Sequence, residues 1–348
     1  MSFKSEINVV RRKITHGLTK NIGSNKLDKN HNPNSKINFK NVLISRPNHR
    51  LGNLLLITPL VQEINSVFPD CKIDLFVKGN LAPIIFENYP SVENYIILPR
   101  KPFENLIKYF RVWFKIKEKK YDLVINIDKA SSSGRLSTQF ANAKFKFFGE
   151  ENEEIVQQYP DYNHMAKYPV YELRHYLNQL GYPDQQKAVP TINIKLSEKE
   201  LQDAKSVLDQ LVPNDKKTIA IFTFATGAKC YSPEWWNPVY EKLVATFPDY
   251  NIVEVLPVEN VSQINFAAPS FYSKDVREIA AFIANTSIFI GADSGIMHLA
   301  CASQTPVLGL FSVTVPEKYE PYGNGSLAIN TNTTNLESMI NIIKSKLT

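Results

Sequence analysis

Residues that can bind phosphate or sugar lie close together near the end of the chain: Asp293, Ser294, Gly295 and His298. They follow a short apolar strand, Ser287–Gly291, and open an apolar helical run, Ile296–Ser303. Asp and Ser are both favoured N-cap residues. A helix N-terminus also offers N–H groups and partial positive charge to an anion such as a diphosphate. Asp293 can accept ribose hydroxyls or cap the helix, and His298 can face the same ligand. A capped helix with a packed histidine, without any ligand, fits the same pattern.

Further polar residues follow two other predicted strands of the C-terminal half. The loops after these strands contain Thr226, Gly227, Lys229 and Glu259. Ligands of open α/β sheets bind beyond the carboxyl ends of the strands, so we expect these residues to converge on the Asp293 segment. Lysine and backbone N–H groups suit a diphosphate, and a carboxylate suits a ribose. The pattern therefore predicts a pocket for a nucleoside diphosphate.

The N-terminal half repeats this alternation of strands and helices. Its strand ends contribute His49, Arg50, Asn53 and Asp128. For the first helical stretch, Pro59 leaves two alternatives: Asn53 caps a helix that kinks, or Thr58 caps a helix with Pro59 at its first position. For the helix Val276–Ala284, Ser273 is the expected N-cap.

The alternation predicts two Rossmann-like, doubly wound domains with parallel sheets, facing a central cleft. The expected divisions are a basic polar tail (1–38), an N-terminal Rossmann-like domain (39–190), a linker region (191–216) and a C-terminal Rossmann-like domain (217–348). Each half has about 150 residues, a usual domain size.

Composition excludes several classes of protein. Of 348 residues, 43% are hydrophobic and 21% charged, as in globular proteins. No apolar run approaches the roughly 20 residues that span a bilayer, and no signal peptide is recognisable. The three cysteines form no CxxC pair and the six histidines no metal-binding spacing, so we expect neither a disulfide framework nor a metal site, and a cytoplasmic location.

The net charge of +6 is concentrated in the tail. Residues 1–40 hold nine Lys or Arg and two acids, a net of +7, so the remainder carries −1 and is not a surface for nucleic acid. Ile7–Ile22 can form a basic amphipathic helix on anionic lipid, at the inner face of the cytoplasmic membrane. The alternative is a solvated, partly disordered tail.

Three familiar motifs are absent: GxGxxG after the first strand, GxxxxGK[ST], and GxSxG. An enzyme that binds nicotinamide in a Rossmann domain is an alternative function. It is the least favoured one, because the GxGxxG fingerprint of such enzymes is absent.

Three blocks of sequence resemble glycosyltransferase family 9, the lipopolysaccharide heptosyltransferases: Val42–Leu60, Thr226–Trp236 and Gly291–Tyr322. The third is the most specific, because several spaced residues match together. The resemblance implies a GT-B fold and an inverting, metal-independent transfer of a heptose or related sugar, with no cofactor. The implied donor is a nucleoside diphosphate sugar, ADP-heptose first, bound by the C-terminal domain (217–348). The implied acceptor is the lipopolysaccharide core or another cell-surface glycan, bound by the N-terminal domain (39–190).

The resemblance also implies roles for individual residues. Thr226, Gly227 and Lys229 would hold the diphosphate and Glu259 would lie near the nucleoside. Asp293, Ser294, Gly295 and His298 would bind donor phosphate and sugar. The catalytic aspartate of the family aligns with Asn53, and an amide cannot accept the proton of the acceptor hydroxyl. His49 is then the first candidate base and Asp128 the second. A sugar-nucleotide-binding protein that has lost catalysis is the alternative.

Overall fold

The computed structural model describes residues 22–23, 37–99, 106–183 and 186–347. Nearly all of the basic tail, including the helix predicted within it, lies outside the described residues. Two compact units are present. The first contains the described residues up to His49, with Leu60–Pro83 and Tyr89–Pro190. The second contains Arg50–Pro59, Ile84–Asn88 and the described residues from Thr191 onward.

The first sheet has five parallel strands in the order β3-β2-β1-β4-β5. These are β1 (Asn41–Ser45), β2 (Lys72–Lys78), β3 (Val92–Leu98), β4 (Lys120–Asn126) and β5 (Asn142–Phe147). The helices of this part of the chain are α1 (Leu51–Leu55), α2 (Thr58–Val67), α3 (Ala82–Ile85), α4 (Leu106–Glu118), α5 (Ser132–Phe140), α6 (Glu153–Gln158) and α7 (Tyr168–Gln179). The central strand β1 is buried from its second residue on, as an apolar strand between helices should be.

The second sheet has six parallel strands in the order β11-β10-β9-β6-β7-β8. These are β6 (Lys217–Phe222), β7 (Tyr250–Val255), β8 (Ser270–Phe271), β9 (Ile288–Ala292), β10 (Val307–Phe311) and β11 (Leu327–Asn330). The helices are α8 (Glu198–Leu211), α9 (Pro233–Thr246), α10 (Val276–Ala284), α11 (Gly295–Ala302), α12 (Pro316–Tyr319) and α13 (Leu336–Leu347). The core of this sheet includes Trp236, which is completely buried.

Both strand orders reverse direction once, between β1 and β4 in the first sheet and between β6 and β9 in the second. This is the doubly wound topology, so the predicted fold class of two parallel-sheet α/β domains is confirmed. Each reversal is a topological switch point, the place where such sheets bind ligands. No helix in the described ranges is long and apolar enough to cross a membrane.

Two predicted helix starts need correction. Asn53 does not cap a helix, because α1 begins at Leu51, before it, and ends at Leu55. The chain then starts α2 at Thr58, with Pro59 in its first turn. Pro59 has no N–H to donate to the carbonyl of Leu55, and the hydroxyl of Thr58 donates to that carbonyl instead, at 2.9 Å.

The N-cap of α10 is Asp275, and the prediction of Ser273 was wrong. The carboxylate of Asp275 accepts hydrogen bonds from the N–H groups of Arg277 and Glu278. Ser273 lies two residues earlier, where its hydroxyl donates to the carboxylate of Glu278 and accepts from the N–H of Asp275. The residue adjacent to the helix has the shorter reach to the first-turn N–H groups, so it forms the cap.

Candidate functional site

The switch point of the second sheet brings two of the predicted loops together. Strands β6 and β9 are parallel neighbours, with Phe222 opposite Gly291 near their carboxyl ends. The chain leaving β6 forms a turn of 3-10 helix, Gly227–Lys229, and the chain leaving β9 enters α11. The strand order therefore explains why these two loops meet, as the sequence predicts.

Lys229 and Asp293 form the central ion pair of this site. The ammonium Nζ of Lys229 lies 2.5 Å from Oδ2 of Asp293. The hydroxyl of Thr314 donates to the same oxygen at 2.6 Å. The side chain of Asp293 is 5% exposed, whereas that of Lys229 is 34% exposed, so the lysine is the member that solvent or a ligand can reach.

Thr314 is a site residue that the sequence interpretation missed. It follows β10, the strand next to β9, by three residues. The rule that ligands bind beyond the carboxyl ends of the strands points to the loop after β10 as much as to the loops after β6, β7 and β9.

Helix α11 presents its N-terminus at the same switch point. Its N-cap is Ser294, whose hydroxyl accepts the N–H of Met297 at 3.2 Å. The sequence left Asp293 and Ser294 as alternative caps, and the carboxylate of Asp293 is directed instead at Lys229 and Thr314. The cap bond engages the third N–H of the helix, and the aligned peptide dipoles give this end partial positive charge.

His298 is buried beside the ion pair. Its Nε2 lies 4.0 Å from Oδ1 of Asp293, and its side chain is 5% exposed. Burial lowers the pKa of His298 well below its ordinary value; Asp293 partly opposes this effect and Lys229 reinforces it. The imidazole is therefore neutral at pH 7. Among the described residues, its buried Nδ1 has no hydrogen-bond partner.

The short helix α1 packs against α11 through two glycines. A Cβ atom on Gly52 would lie 2.6 Å from Cδ2 of His298, and the three nearest atoms all belong to that imidazole. A Cβ on Gly295 would lie 3.3 Å from the Cβ of Leu51. Because Gly52 has no side chain, the backbone of α1 comes close to the ring of His298, and Gly295 likewise lets α11 approach Leu51. Asn53, the next residue, is half-buried in the first turn of α1.

The other predicted donor residues are solvent-exposed. Thr226 and Gly227 lie at the surface, and Gly227 has φ +66°, a left-handed conformation that favours glycine. Glu259 is exposed in the loop that follows β7. Within the described ranges it shares no hydrogen bond with Lys229 or Asp293, so the structure does not join it to the ion pair.

In the first unit, Asp128 lies at the switch point between β1 and β4. Its Oδ2 pairs with the buried guanidinium of Arg46, and its Oδ1 accepts the N–H of Ala130 at 3.1 Å. Arg46 is a residue of this switch point that the sequence interpretation did not include. His49 is exposed in the loop that follows β1. No group of three or more His, Cys, Asp or Glu side chains in the described part of the chain could hold a metal ion.

Comparisons with known proteins give matches across both halves of the chain. The sequence model of glycosyltransferase family 9 (heptosyltransferase) matches residues 273–341. Lipopolysaccharide heptosyltransferase 3 of Escherichia coli is 23% identical over 296 residues, covering 79% of this chain and 85% of the relative. The lipopolysaccharide core heptosyltransferase OpsX of Haemophilus influenzae is 22% identical over 288 residues, covering 79% and 80%.

Solved structures are similar over a larger share of the chain than the sequence relatives. A family 9 glycosyltransferase from Veillonella parvula has a TM-score of 0.71 at 16% identity and covers 91% of this chain and 99% of its own. The heptosyltransferase WaaC of E. coli, solved with ADP, has a TM-score of 0.65 at 17% identity and covers 88% and 99%. The chain therefore has a GT-B fold and is similar in sequence to the heptosyltransferases of glycosyltransferase family 9.

Proposed function

We propose that this protein transfers a heptose or a related sugar, with inversion, from a nucleoside diphosphate to the lipopolysaccharide core or another cell-surface glycan. The observation that supports this most directly is the group formed by Lys229, Asp293 and Thr314 at the N-terminus of α11. It places a reachable cation and a helix N-terminus at the switch point of the sheet, where α/β proteins bind nucleotides.

The proposed donor site works by exchange of partners. Lys229 is held by Asp293, and a diphosphate arriving at the helix N-terminus would compete for the lysine. Asp293, keeping the hydroxyl of Thr314, would then be available to accept hydroxyl groups of the donor sugar or ribose. Thr226 and Gly227 would add contacts to the phosphates, and Glu259 would approach the nucleoside by movement of its exposed loop.

In the proposed reaction an oxygen of the acceptor attacks the anomeric carbon of the donor sugar. The bond from that carbon to the β-phosphate oxygen breaks, and the departing diphosphate keeps the electron pair. Lys229 and the N-terminus of α11 stabilise the negative charge, which develops as the bond breaks. The chain itself thus supplies positive charge for a transfer that needs no metal ion.

The acceptor proton requires a base, and we favour His49 over Asp128. Both oxygens of Asp128 are engaged, one by Arg46 and one by the N–H of Ala130. Histidine has an ordinary pKa of about 6.5, which suits a base near neutral pH. Asn53, at the position of the family aspartate, would orient the acceptor hydroxyl through its amide.

ADP-heptose is the leading donor because of the relatives. Three of them are named as heptosyltransferases, and one was solved with ADP. We further propose that the protein works in the cytoplasm, at the inner face of the membrane. There the basic residues of its tail would contact anionic lipid.

A second candidate function follows from Asn53. A protein that retains the donor site but lacks the aspartate would bind sugar nucleotides without transferring the sugar. Turnover assays with ADP-heptose on the wild type, Asn53→Asp and His49→Ala separate the two functions. For an enzyme that uses His49, we expect the loss of the base to slow turnover by about 10²–10⁴-fold.

Nucleotide binding is tested first by thermal unfolding with ADP, UDP, GDP and CMP. A nucleotide at a hundredfold excess over its dissociation constant stabilises the folded state by about 2.7 kcal/mol. For a chain of this size this corresponds to a rise in Tm of about 4 °C. If no nucleotide raises Tm, the proposal of a donor site is refuted. If ADP binds but neither the wild type nor Asn53→Asp turns over ADP-heptose, the second candidate function, binding without transfer, is supported.

A further inference from the structure

Helix α4 of the first unit exposes a strip of large apolar side chains. Ile107, Phe110 and Phe114 are 76%, 59% and 65% exposed, and their spacing of three and four residues puts them on one face. On the opposite side, Val112 and Ile116 are buried in the core of the first sheet. The exposed strip is therefore additional to the face that the fold requires.

An aromatic side chain of α5 extends this strip. Phe140, 51% exposed, has its ring 5.9 Å from that of Trp113 of α4. Trp113 and Tyr109 in turn stack edge to face at 6.1 Å. Large apolar side chains gathered on two helices in this way mark an interaction surface.

Cations border the strip on both sides. Arg111 and Lys115 lie along one edge of the exposed face of α4 and Lys117 along the other, and all three are exposed. Glu118 is the one exposed acid among the described residues of this helix. An apolar strip between rows of cations is the arrangement of helices that lie in the interface of an anionic membrane.

We propose that the exposed face of α4, with Phe140, is a membrane-docking surface for anionic lipid. Ile107, Phe110 and Phe114 insert among the acyl chains near the headgroups, and Arg111 and Lys115 contact lipid phosphates. Charge complementarity favours lipid over a second copy of the chain, because two such basic faces would repel each other. The inference is independent of the proposed glycosyl transfer, and it names a surface separate from the basic tail.

Co-sedimentation of the full chain with vesicles tests this surface. We expect wild-type protein to bind vesicles of phosphatidylcholine with phosphatidylglycerol more tightly than vesicles of phosphatidylcholine alone. Phe110→Ser and Phe114→Ser should each weaken binding about tenfold, because each withdraws an aromatic ring from the interface. Arg111→Gln should weaken binding about fivefold, to the anionic vesicles only.

Val207→Ser is the matched control, because Val207 is 42% exposed on α8, in the other unit. It should leave vesicle binding unchanged, and Tm should be the same for all variants, since each changes an exposed residue. The proposal would be overturned if the wild type bound neither kind of vesicle, or if the double variant Phe110→Ser/Phe114→Ser bound vesicles as tightly as the wild type does. It would also be overturned if the double variant dissociated a dimer of the wild type without changing vesicle binding.

Discussion

Replacing Gly52 by alanine should push a methyl group into the imidazole of His298. The new Cβ would lie 2.6 Å from Cδ2 of the ring. Carbon atoms pack at about 3.5–4.0 Å, so the two groups must separate by about 1 Å. The ring has little room to retreat, because the His298 side chain is 5% exposed. Helix α11 is also held against Leu51 through Gly295.

The expected cost combines two opposing effects. Overpacking of a buried site destabilises a protein by about 1–3 kcal/mol. Alanine in place of glycine inside a helix stabilises it by about 1 kcal/mol. We therefore expect Gly52→Ala to lower the free energy of unfolding by up to about 2 kcal/mol, measured by urea titration at constant m-value. Affinity for ADP should fall as well, because the displaced ring borders Asp293.

The control for Gly52→Ala is the same change in a His298→Ala background. The three nearest atoms to the new Cβ all belong to the imidazole, so its removal should abolish the overpacking. Gly52→Ala should then be neutral or stabilising by up to about 1 kcal/mol. A cost that is equal in both backgrounds, within about 0.5 kcal/mol, would refute the contact between α1 and α11.

Three further predictions concern stability. Burial raises the pKa of Glu200, but hydrogen bonds from Arg277 and Ser197 outweigh it and lower the pKa to about 2. Glu200→Gln should therefore lower the free energy of unfolding by about 2 kcal/mol above pH 5, and by progressively less as the pH falls from about 4.5 to 2. Urea titrations at each pH measure this loss, and a loss that is independent of pH would contradict the prediction. Arg174→Met should cost about 3–5 kcal/mol in the same assay, because it leaves the fully buried carboxylate of Glu63 unpaired, and the added change Glu63→Met should restore part of the loss. Ser294→Ala should cost about 1 kcal/mol through loss of the cap of α11, whereas Ser294→Asp should retain most of the stability.

Sequence reasoning worked best where the signal was local. The apolar strand, the cap residue and the apolar helix around Ser294 are consecutive in the chain, and the structure forms them as β9 and α11. The Lys229 loop was also placed correctly, because a parallel sheet puts all carboxyl ends of its strands at one edge. The helix α5 was missed, because its sequence, SSGRLSTQF, is rich in weak helix formers.

The contacts that the sequence did not predict depend on tertiary structure. The bond from Thr314 to Asp293 requires β10 to lie beside β9, and the sequence alone does not state the order of strands. The contact of Gly52 with His298 joins residues far apart in the chain through a close approach of two helices. Likewise, the pairing of Asp128 with Arg46 depends on β4 lying next to β1, and it supports the choice of His49 over Asp128 as the base.

The most direct test of the proposed donor site is the affinity of Lys229→Met for ADP, measured by calorimetry beside that of the wild type. Lys242→Met is the matched control, because Lys242 forms an exposed ion pair with Glu337 on the same unit. A hydrogen bond to a charged group contributes about 1.5–3 kcal/mol, so we predict that Lys229→Met weakens ADP binding at least about tenfold while Lys242→Met leaves it unchanged. Equal affinity of all three proteins for ADP would contradict the donor site proposed at Lys229 and Asp293.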